Sequence, residues 1–371
     1  MNLELTPEQL ALRDSVRRCL KAGADLSNST SDARGHDSLA GLDLAGLLIP
    51  ESHGGAGASM VDAGVVLEEI GRALDSGPWL SSSVAVPRVI ARAGVTDSAA
   101  TLLTAIANGS TTATIGLSGA HEPTVRATFD RPEPARHPDD PVTLDGSIAE
   151  IPDADIAQTL LVVARHGTNL GLFTVEIPTA GAEFEQLPSL SRPLCRATLY
   201  NAPARYLGEI TTESLSAATD DILIATATDA LGAAQALFDL TIDHTRTRRQ
   251  FDRPIAAFQA VQHLCVDMYE TIELTRGGVL HGLWAADTAP HTDHHLAAIR
   301  LKAFSAELAT VAETAIQIFG GIGYTWEHPA HRYLERLLSW TAFLGHPDRY
   351  LREIGHELTT SIEPTGPPPH P

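Results

Sequence analysis

The chain has 371 residues, a formal net charge of −20 and a pI near 5.1, with 43% hydrophobic and 5% aromatic residues. This is the composition of a folded globular protein, and the length is enough for roughly two or three domains. The acidic balance argues against nucleic acid and against a polybasic membrane surface as binding partners.

The cysteines and the N-terminus indicate the compartment. Cys19, Cys195 and Cys265 are far apart and follow no metal or disulfide pattern, which favours reduced thiols. Met1 precedes an acidic, amphipathic segment rather than a basic segment and an apolar run. We expect a cytoplasmic protein with no signal peptide and no segment long enough to span a bilayer.

The first part of the chain reads as helices. Thr6 and Gln9 fit a capping box around Pro7, and Ser59 precedes the next apolar helical pattern. A shorter helix fits residues 84–93. These patterns predict an N-terminal helical domain over residues 1–110.

Near Thr111 the pattern changes to strands. Several β-rich segments are separated by turn residues, and His166 to Asn169 closes a predicted hairpin. We predict a small β-domain over residues 111–210.

From Ser214 the helical period returns. Long helices with short links predict a four-helix bundle over residues 211–360, as part of an α+β fold. The last residues, 361–371, are proline-rich and are predicted to be disordered. The apolar faces of the three clearest bundle helices are Leu231, Ala234, Phe238 and Ile242; Val261, Leu264, Cys265, Met268 and Ile272; and Ile299, Ala303, Leu308, Val311, Ala315 and Ile318.

A cluster of arginines closes the first bundle helix. Arg246, Arg248 and Arg249 stand just before Gln250 and Phe251. Positive charge at a helix C-terminus is favoured by the helix dipole alone. The alternative is an anionic ligand, for which the forked guanidinium is well suited.

A glycine-rich segment follows a later helix. Gly320, Gly321 and Gly323 come after a helix, whereas a dinucleotide-binding fingerprint follows a strand and opens a helix. Gly320 fits a helix C-cap, and the adjacent glycine also permits close approach of a ligand or another backbone. Gln317, one turn earlier, adds a hydrogen-bonding amide.

Other kinds of site have little support in the sequence. His328 with His331, or His294 with His295, have no carboxylate or cysteine at a spacing suited to a metal. No serine lies in the pattern of an α/β-hydrolase nucleophile, and no phosphate-binding P-loop is present. We predict no metal site.

The arginine and glycine segments together resemble the acyl-CoA dehydrogenase family. The first family pattern, T-R-x-Q-F-G-x-P-I followed by F-Q-A-V-x-H, stands here as Thr247 to Ile255 and Phe258 to His263. The second, Q-x-x-G-G-x-G-[YF]-x-x-E, runs from Gln317 to Glu327. The N-terminal stretches "LTPEQLALRDSVR" and "LLIPESHGGAGASMVDAGVVLEEIGRAL" are also similar to the family.

This resemblance implies a fold, a cofactor and partners. The fold is an N-terminal helical domain, a central β-barrel-like domain and a C-terminal four-helix bundle. The activity is FAD-dependent oxidation of an acyl-CoA in lipid metabolism, with an electron-transfer flavoprotein as acceptor. The assembly is a dimer of dimers in which each chain contacts a neighbour's FAD. The residues expected at that FAD are Arg248, Gln250, Phe251, Gln259, Gln317, Gly320 and Gly321.

The sequence departs from the family where the chemistry should be. The family's catalytic glutamate falls on Leu344 when counted from the glycine segment, and its less common alternative falls near Ile222. The adjacent Asp220 and Asp221 are shorter and in the wrong phase. The flavin-facing stretch T-E-P-x-A-G-S-D is replaced by "LSGAHEPTVRA", and the W-[IV]-T-N segment is absent.

We therefore expect a subunit that lacks the base and acts beside an unlike homologous subunit, as in some bacterial family members of sterol side-chain breakdown. We assign it no catalytic residue. The alternatives are a homotetrameric dehydrogenase with an unidentified base, a flavin-free structural homologue, and a relative with other flavin chemistry.

Overall fold

Three structural regions follow one another along the chain. The computed structural model describes residues 4–27, 39–117, 123–130 and 141–360. Helices occupy the chain up to Ala107, strands run from Ala113 to Glu209, and helices return from Thr212. The predicted order of helices, strands and helices is confirmed. The predicted disordered tail, residues 361–371, lies outside the described residues.

The N-terminal region is helical. A capping box opens helix α1 as predicted, since the Thr6 N–H donates to Gln9 Oε1 at 3.0 Å and the Gln9 N–H donates to Thr6 Oγ1 at 3.3 Å. Ser59 caps helix α2 in the same way, with Asp62 as its partner. The helices are α1 (Pro7–Ser27), α2 (Met60–Ala73), α3 (Val86–Ala93), which continues a π-helical segment (Trp79–Ala85), and α4 (Ala100–Ala107).

The strands close on themselves. Among the described residues, strand β4 pairs with β2 and β5, β2 with β3, β3 with β7, and β7 with β5. This closed path leaves β1 paired with β4 and β6 paired with β7 at its margin. The predicted hairpin is confirmed, because His166 and Asn169 are its last paired residues. The strands are β1 (Ala113–Ile115), β2 (Arg126–Phe129), β3 (Val142–Pro152), β4 (Thr159–His166), β5 (Asn169–Glu176), β6 (Ala182–Leu187) and β7 (Leu194–Glu209).

The C-terminal region is a helical bundle built around one buried helix. Helix α5 packs against α6, α7, α8 and α9 of its own region and against α2 and α3 of the N-terminal region. A short hairpin, in which strands β8 and β9 have two residues each, lies between α5 and α6. The elements are α5 (Thr212–Thr247), β8 (Arg249–Gln250), β9 (Arg253–Pro254), α6 (Gln259–Thr288), α7 (His291–Ala303), α8 (Ser305–Phe319), α9 (Ala330–Ala342) and α10 (Pro347–Thr360).

Two sequence expectations about these helices were wrong. The single helix expected through Ile299 and Ile318 is divided at Phe304, whose φ of −81° and ψ of 1° lie off the helical values. The apolar pattern continues on both sides of this residue, so periodicity does not reveal the break. Helix α5 is long and apolar enough to cross a membrane, but 83% of its most apolar window is buried in the fold. Its composition is therefore that of a core helix.

The crossing of α2 and α5 depends on two glycines. A Cβ added at Gly71 would lie 1.8 Å from the Asp229 carbonyl oxygen, and one at Gly232 would lie 1.9 Å from the Glu68 carbonyl oxygen. No side chain fits at either distance, so the two backbones touch only because both residues are glycine. This contact fixes the N-terminal helices against the bundle.

Candidate functional site

A tight turn presents the predicted FAD-binding residues at one end of the bundle. Gln250 pairs with Arg253 across the hairpin, which leaves Phe251 and Asp252 as the two turn residues. Both have positive φ, 50° and 63°. A turn with two such residues matches the twist of a hairpin, but it is an uncommon conformation for phenylalanine. The turn holds the Phe251 ring outwards, 85% exposed.

The side chains of the turn support one another. The Arg249 guanidinium donates to the Asp252 carbonyl oxygen at 2.6 Å. The Arg253 guanidinium lies 4.2 Å from the centre of the Phe258 ring, and Phe258 meets Phe251 edge to face at 6.0 Å. The turn is therefore ordered by its own contacts.

The glycine segment lies at the same end of the bundle. His244, in the last turn of α5, packs against Phe319 at the end of α8, with ring centres 4.9 Å apart. Phe319 packs in turn against His328, 4.3 Å away. Burial, followed by the nearby His328 and Arg248, lowers the pKa of His244. Two segments separated by about seventy residues thus meet through three aromatic rings.

All seven predicted residues are solvent-exposed. Within the described residues, the Arg248 side chain has no hydrogen bond or ion pair, while its backbone N–H caps α5 by donating to His244 O at 2.8 Å. Gly320 ends α8 with a φ of 67°, which confirms it as a C-cap. The exposed residues are Arg248, Gln250, Phe251, Gln259, Gln317, Gly320 and Gly321.

This surface fits the anionic part of a dinucleotide. An exposed guanidinium without a partner suits a pyrophosphate, and a Cβ at Gly320 or Gly321 would meet nothing within 4 Å. A ligand can therefore approach the backbone at the glycines. An open surface of this kind surrounds less of a ligand than a typical small-molecule pocket does.

Both expected positions of the base are apolar and buried. Leu344 is 8% exposed and Ile222 is 2% exposed. The loop at Leu344 is fixed from α10, because the Tyr350 hydroxyl donates to the Leu344 carbonyl oxygen at 2.6 Å. Neither side chain can accept a proton.

The neighbouring aspartates are engaged in ion pairs. Asp221 is fully buried and contacts Arg88 at 2.8 Å, Arg92 at 2.9 Å and His294 at 3.0 Å. Burial acts to raise the pKa of Asp221, but these partners outweigh it and the pKa lies well below the ordinary value. A carboxylate held ionised in this way is a poor general base.

Asp220 is held by a histidine. Both of its oxygens lie 3.0 Å from His295 Nδ1, and His295 Nε2 lies 3.2 Å from Glu353. The interaction with Asp220, followed by Glu353 and against the effect of burial, raises the pKa of His295 to about 9. The imidazolium therefore joins α5, α7 and α10.

A buried charge cluster fills the cleft where the three regions meet. Arg336 binds Asp229 through two nitrogens, at 2.7 and 2.8 Å, and Arg192 reaches the same carboxylate at 3.1 Å. Burial acts to raise the pKa of Asp229, and the two arginines outweigh it and lower the pKa. Sequence reasoning missed this cluster, because Arg192 lies 37 residues and Arg336 lies 107 residues from Asp229 in sequence, and the three share no local motif.

The remaining space in that cleft is small. A cavity of about 70 Å³ lies beside Leu80, Thr226, Trp340 and Phe343, next to the Leu344 loop. Small-molecule sites typically have volumes of about 300–1,000 Å³. A larger groove of about 460 Å³ lies elsewhere, between α4 and strands β4, β5 and β7. Among the described residues, the cavity beside the Leu344 loop is therefore too small to hold an acyl chain.

Asp153 is a further carboxyl group in this cleft. Its side chain is 2% exposed and accepts a hydrogen bond from Ser81 at 2.6 Å. Burial raises the pKa of Asp153, in opposition to Arg192. Part of the stretch "LSGAHEPTVRA", residues 118–122, lies outside the described residues. Among the described residues, no group of three His, Cys, Asp or Glu side chains is arranged to hold a metal.

Helical regions on both sides of a closed set of strands are the architecture shared with a class of dehydrogenases. The acyl-CoA dehydrogenase N-terminal domain matches residues 6–110, and the acyl-CoA dehydrogenase C-terminal domain matches residues 223–358. The chain belongs to the acyl-CoA dehydrogenase family, whose members are FAD-dependent oxidoreductases.

Curated relatives agree with this assignment. Acyl-CoA dehydrogenase IpdE2 of Mycobacterium tuberculosis (strain ATCC 25618 / H37Rv) is 30% identical over 86% of this chain and 85% of the relative. Acyl-CoA dehydrogenase FadE34 of the same organism is 29% identical over 94% of this chain, and the chain spans 48% of that relative's length.

Solved structures share the fold. A variant of the Tcur3481–Tcur3483 steroid ACAD has a TM-score of 0.84 and 27% identity, with 95% of this chain and 98% of that chain covered. The ChsE4–ChsE5 complex from Mycobacterium tuberculosis has a TM-score of 0.86 and 23% identity, covering 98% of this chain and 100% of that chain. The predicted fold is confirmed.

Proposed function

We propose that this chain is the base-lacking subunit of a heteromeric acyl-CoA dehydrogenase and completes the FAD site of a homologous partner. The observation that carries the proposal is the contrast between two parts of one chain. The half-site is the exposed surface of Arg248, Gln250, Phe251, Gln259, Gln317, Gly320 and Gly321. It is open to solvent, whereas the cleft at Leu344 is narrow and holds a buried ion cluster. A chain with this contrast serves a neighbour's flavin.

The reaction explains why the contrast matters. Dehydrogenation of an acyl-CoA thioester removes an α-proton, which requires a base, and a β-hydride, which FAD accepts when bound. The partner would supply the base. This chain would supply Arg248 to the pyrophosphate and the glycine backbone to the same end of the cofactor. An electron-transfer flavoprotein would reoxidise the flavin, and we place the assembly in the cytoplasm.

The comparisons support a heteromeric assembly. Two structures that share the fold are named as pairs of proteins, ChsE4 with ChsE5 and Tcur3481 with Tcur3483. The second pair is described as a steroid ACAD. From the pairing in both structures we infer that the partner of this protein is an unlike homologous chain. The acyl-CoA substrate and the dimer of dimers belong to the same proposal.

The test is an assay with an artificial electron acceptor and a panel of acyl-CoA thioesters. The chain alone, the partner alone and the two together are compared, with their masses measured by light scattering. We expect oligomers, and turnover only where the base-bearing partner is present. General-base catalysis contributes about 10²–10⁴-fold, so the chain alone should fall at least that far below the pair. Robust turnover by the chain alone would overturn the proposal.

A homomeric enzyme is the second candidate, and Asp153 is the observation that favours it. Burial raises the pKa of the Asp153 carboxyl group, which is the direction in which a general base is tuned, and Asp153 lies in the cleft. Its burial and the small cavity weigh against the role. If the chain alone is active, Asp153→Asn should abolish that activity while flavin content is retained.

A further inference from the structure

The bundle end that carries the half-site also has the most exposed aromatic side chains. Of the exposed large hydrophobic residues in the described chain, Trp326 is 86% exposed, Phe251 85% and Tyr324 77%. The others range from 37% to 61%. Exposed single apolar residues are ordinary, but the three most exposed ones in the described chain all lie on the two turns that follow α5 and α8, whose ends meet through His244 and Phe319.

The turn between α8 and α9 holds Trp326 in place. The indole meets the His331 ring edge to face, with centres 5.0 Å apart at 79°. His331 Nδ1 lies 2.8 Å from the His328 carbonyl oxygen, and the His328 ring packs on Phe319. The support under Trp326 therefore belongs to the same set of rings that joins the glycine segment to helix α5. The remaining face of the indole stays open to solvent.

The two turns carry exposed arginines together with the exposed carboxylates of Asp252 and Glu327. Arg248, Arg249 and Arg253 are exposed in the adjoining hairpin, while the whole chain carries −20. Guanidinium groups pair with phosphates, and flat aromatic rings stack on bases. The combination is the chemistry that recognises the adenosine diphosphate half of a dinucleotide. If a protein surface covered these rings instead, the aromatic side chains would be needed but the exposed arginines would not.

We propose that Trp326 stacks on the adenine ring of the FAD whose pyrophosphate Arg248 binds, and that this contact sets the affinity of the half-site for the adenosine end. The inference rests on the proposed function. Trp326 is then a positioning residue that touches the cofactor and takes no part in proton or hydride transfer.

The experiment uses the assembled protein, with its homologous partner where one is required. The flavin is removed, and FAD is titrated back to Trp326→Ala, Trp326→Phe and wild type. ADP, which carries only the adenosine and pyrophosphate, is measured as a competitor of FAD. Stacking of one base on an aromatic ring corresponds to roughly 5- to 150-fold in affinity. Trp326→Ala should weaken FAD and ADP by the same factor in that range, and Trp326→Phe should restore most of it.

Two further variants separate the explanations. Tyr200→Ala removes an aromatic ring that is 59% exposed on the β-domain and should leave both affinities unchanged. Arg248→Ala tests the proposed function itself. If Arg248→Ala weakens FAD binding and Trp326→Ala does not, the stacking inference fails and the proposed function stands. If neither weakens it, both fail.

Other results would also overturn the inference. An assembly that dissociates on Trp326→Ala, with its mass halved in light scattering, would place the indole against a protein chain. Weaker FAD binding with unchanged ADP competition would place it away from the adenine. Absence of ADP competition in the wild type would show that the half-site does not bind the adenosine end.

Discussion

At the scale of single residues, a strained turn and an unpaired guanidinium distinguish the half-site from ordinary surface. Phe251 adopts a φ of 50°, which is uncommon for a bulky side chain and costs on the order of 1–3 kcal/mol. The backbone conformation and the exposure of its ring make sense together if the ring has a binding partner. Arg248 is likewise exposed without an ion pair among the described residues, although acidic side chains are abundant in the chain.

Arg248→Ala should reduce the flavin content of the assembled protein without unfolding the chain. A charge-assisted hydrogen bond contributes about 1.5–3 kcal/mol, which corresponds to roughly 10- to 150-fold in FAD affinity. Arg246→Ala is the matched control, because Arg246 is also exposed and pairs with Asp243 at 3.6 Å. Flavin absorbance per chain and circular dichroism provide the measurements. Equal flavin content in the two variants would show that Arg248 does not bind the flavin cofactor.

At the scale of elements, local sequence patterns predicted most helices and strands. They could not predict contacts between segments that are distant in sequence. The caps at Thr6 and Ser59 and the hairpin at His166 follow from residues a few positions apart, and the structure contains all three. The kink at Phe304 leaves the apolar pattern intact, so the pattern gives no signal of it. The pairing of Arg336 with Asp229 joins residues 107 positions apart, and only the packed fold brings them together.

The glycine contact between α2 and α5 predicts a large effect of one methyl group. Gly71→Ala should lower the free energy of unfolding by more than the usual 1–3 kcal/mol for overpacking, because its Cβ would lie 1.8 Å from a backbone oxygen. Gly277→Ala is the control in another helix interior, where nothing lies within 4 Å of the added Cβ. It should raise the free energy of unfolding by about 0.5–1 kcal/mol. Denaturant titration of both variants tests the contact, and a similar change in both would contradict it.

The imidazolium of His295 predicts a pH dependence of the α5–α7–α10 junction. Its pKa is raised from 6.5 to about 9, so its stabilising contribution is complete below pH 6.5 and is lost as pH rises through about 9. Asp220, Glu353, Arg349 and Tyr350 face the same junction. The difference in melting temperature between wild type and His295→Gln should therefore shrink from pH 6 to pH 10. A difference that does not depend on pH would show that His295 acts without its charge.

At the scale of the whole molecule, the chain combines an available surface with a closed interior. The exposed half-site lies at one end of the bundle, and the ion cluster of Arg192, Asp229 and Arg336 lies in the cleft between the regions. The family motif predicts a FAD-contacting surface around Arg248, which stays a prediction, and Leu344 at the expected position of the glutamate predicts the loss of the base. The sequence could not predict the ion cluster, since a closed cleft depends on the packing of all three regions. The two features together favour a chain that is active only in an assembly with a partner.

Restoring a carboxylate at the expected position should therefore not create an active chain. In Leu344→Glu the new side chain would enter a site that is 8% exposed, where an unpaired carboxylate is unfavourable and the adjoining cavity is only about 70 Å³. We expect a lower melting temperature and no acyl-CoA turnover by the chain alone. Leu351→Glu, at a position that is 54% exposed, should change neither property. In the presence of the partner, Leu344→Glu should retain the turnover of the pair, because the reacting carboxylate belongs to the other chain. Turnover by Leu344→Glu alone would show that this cleft opens to substrate and lacks only a base.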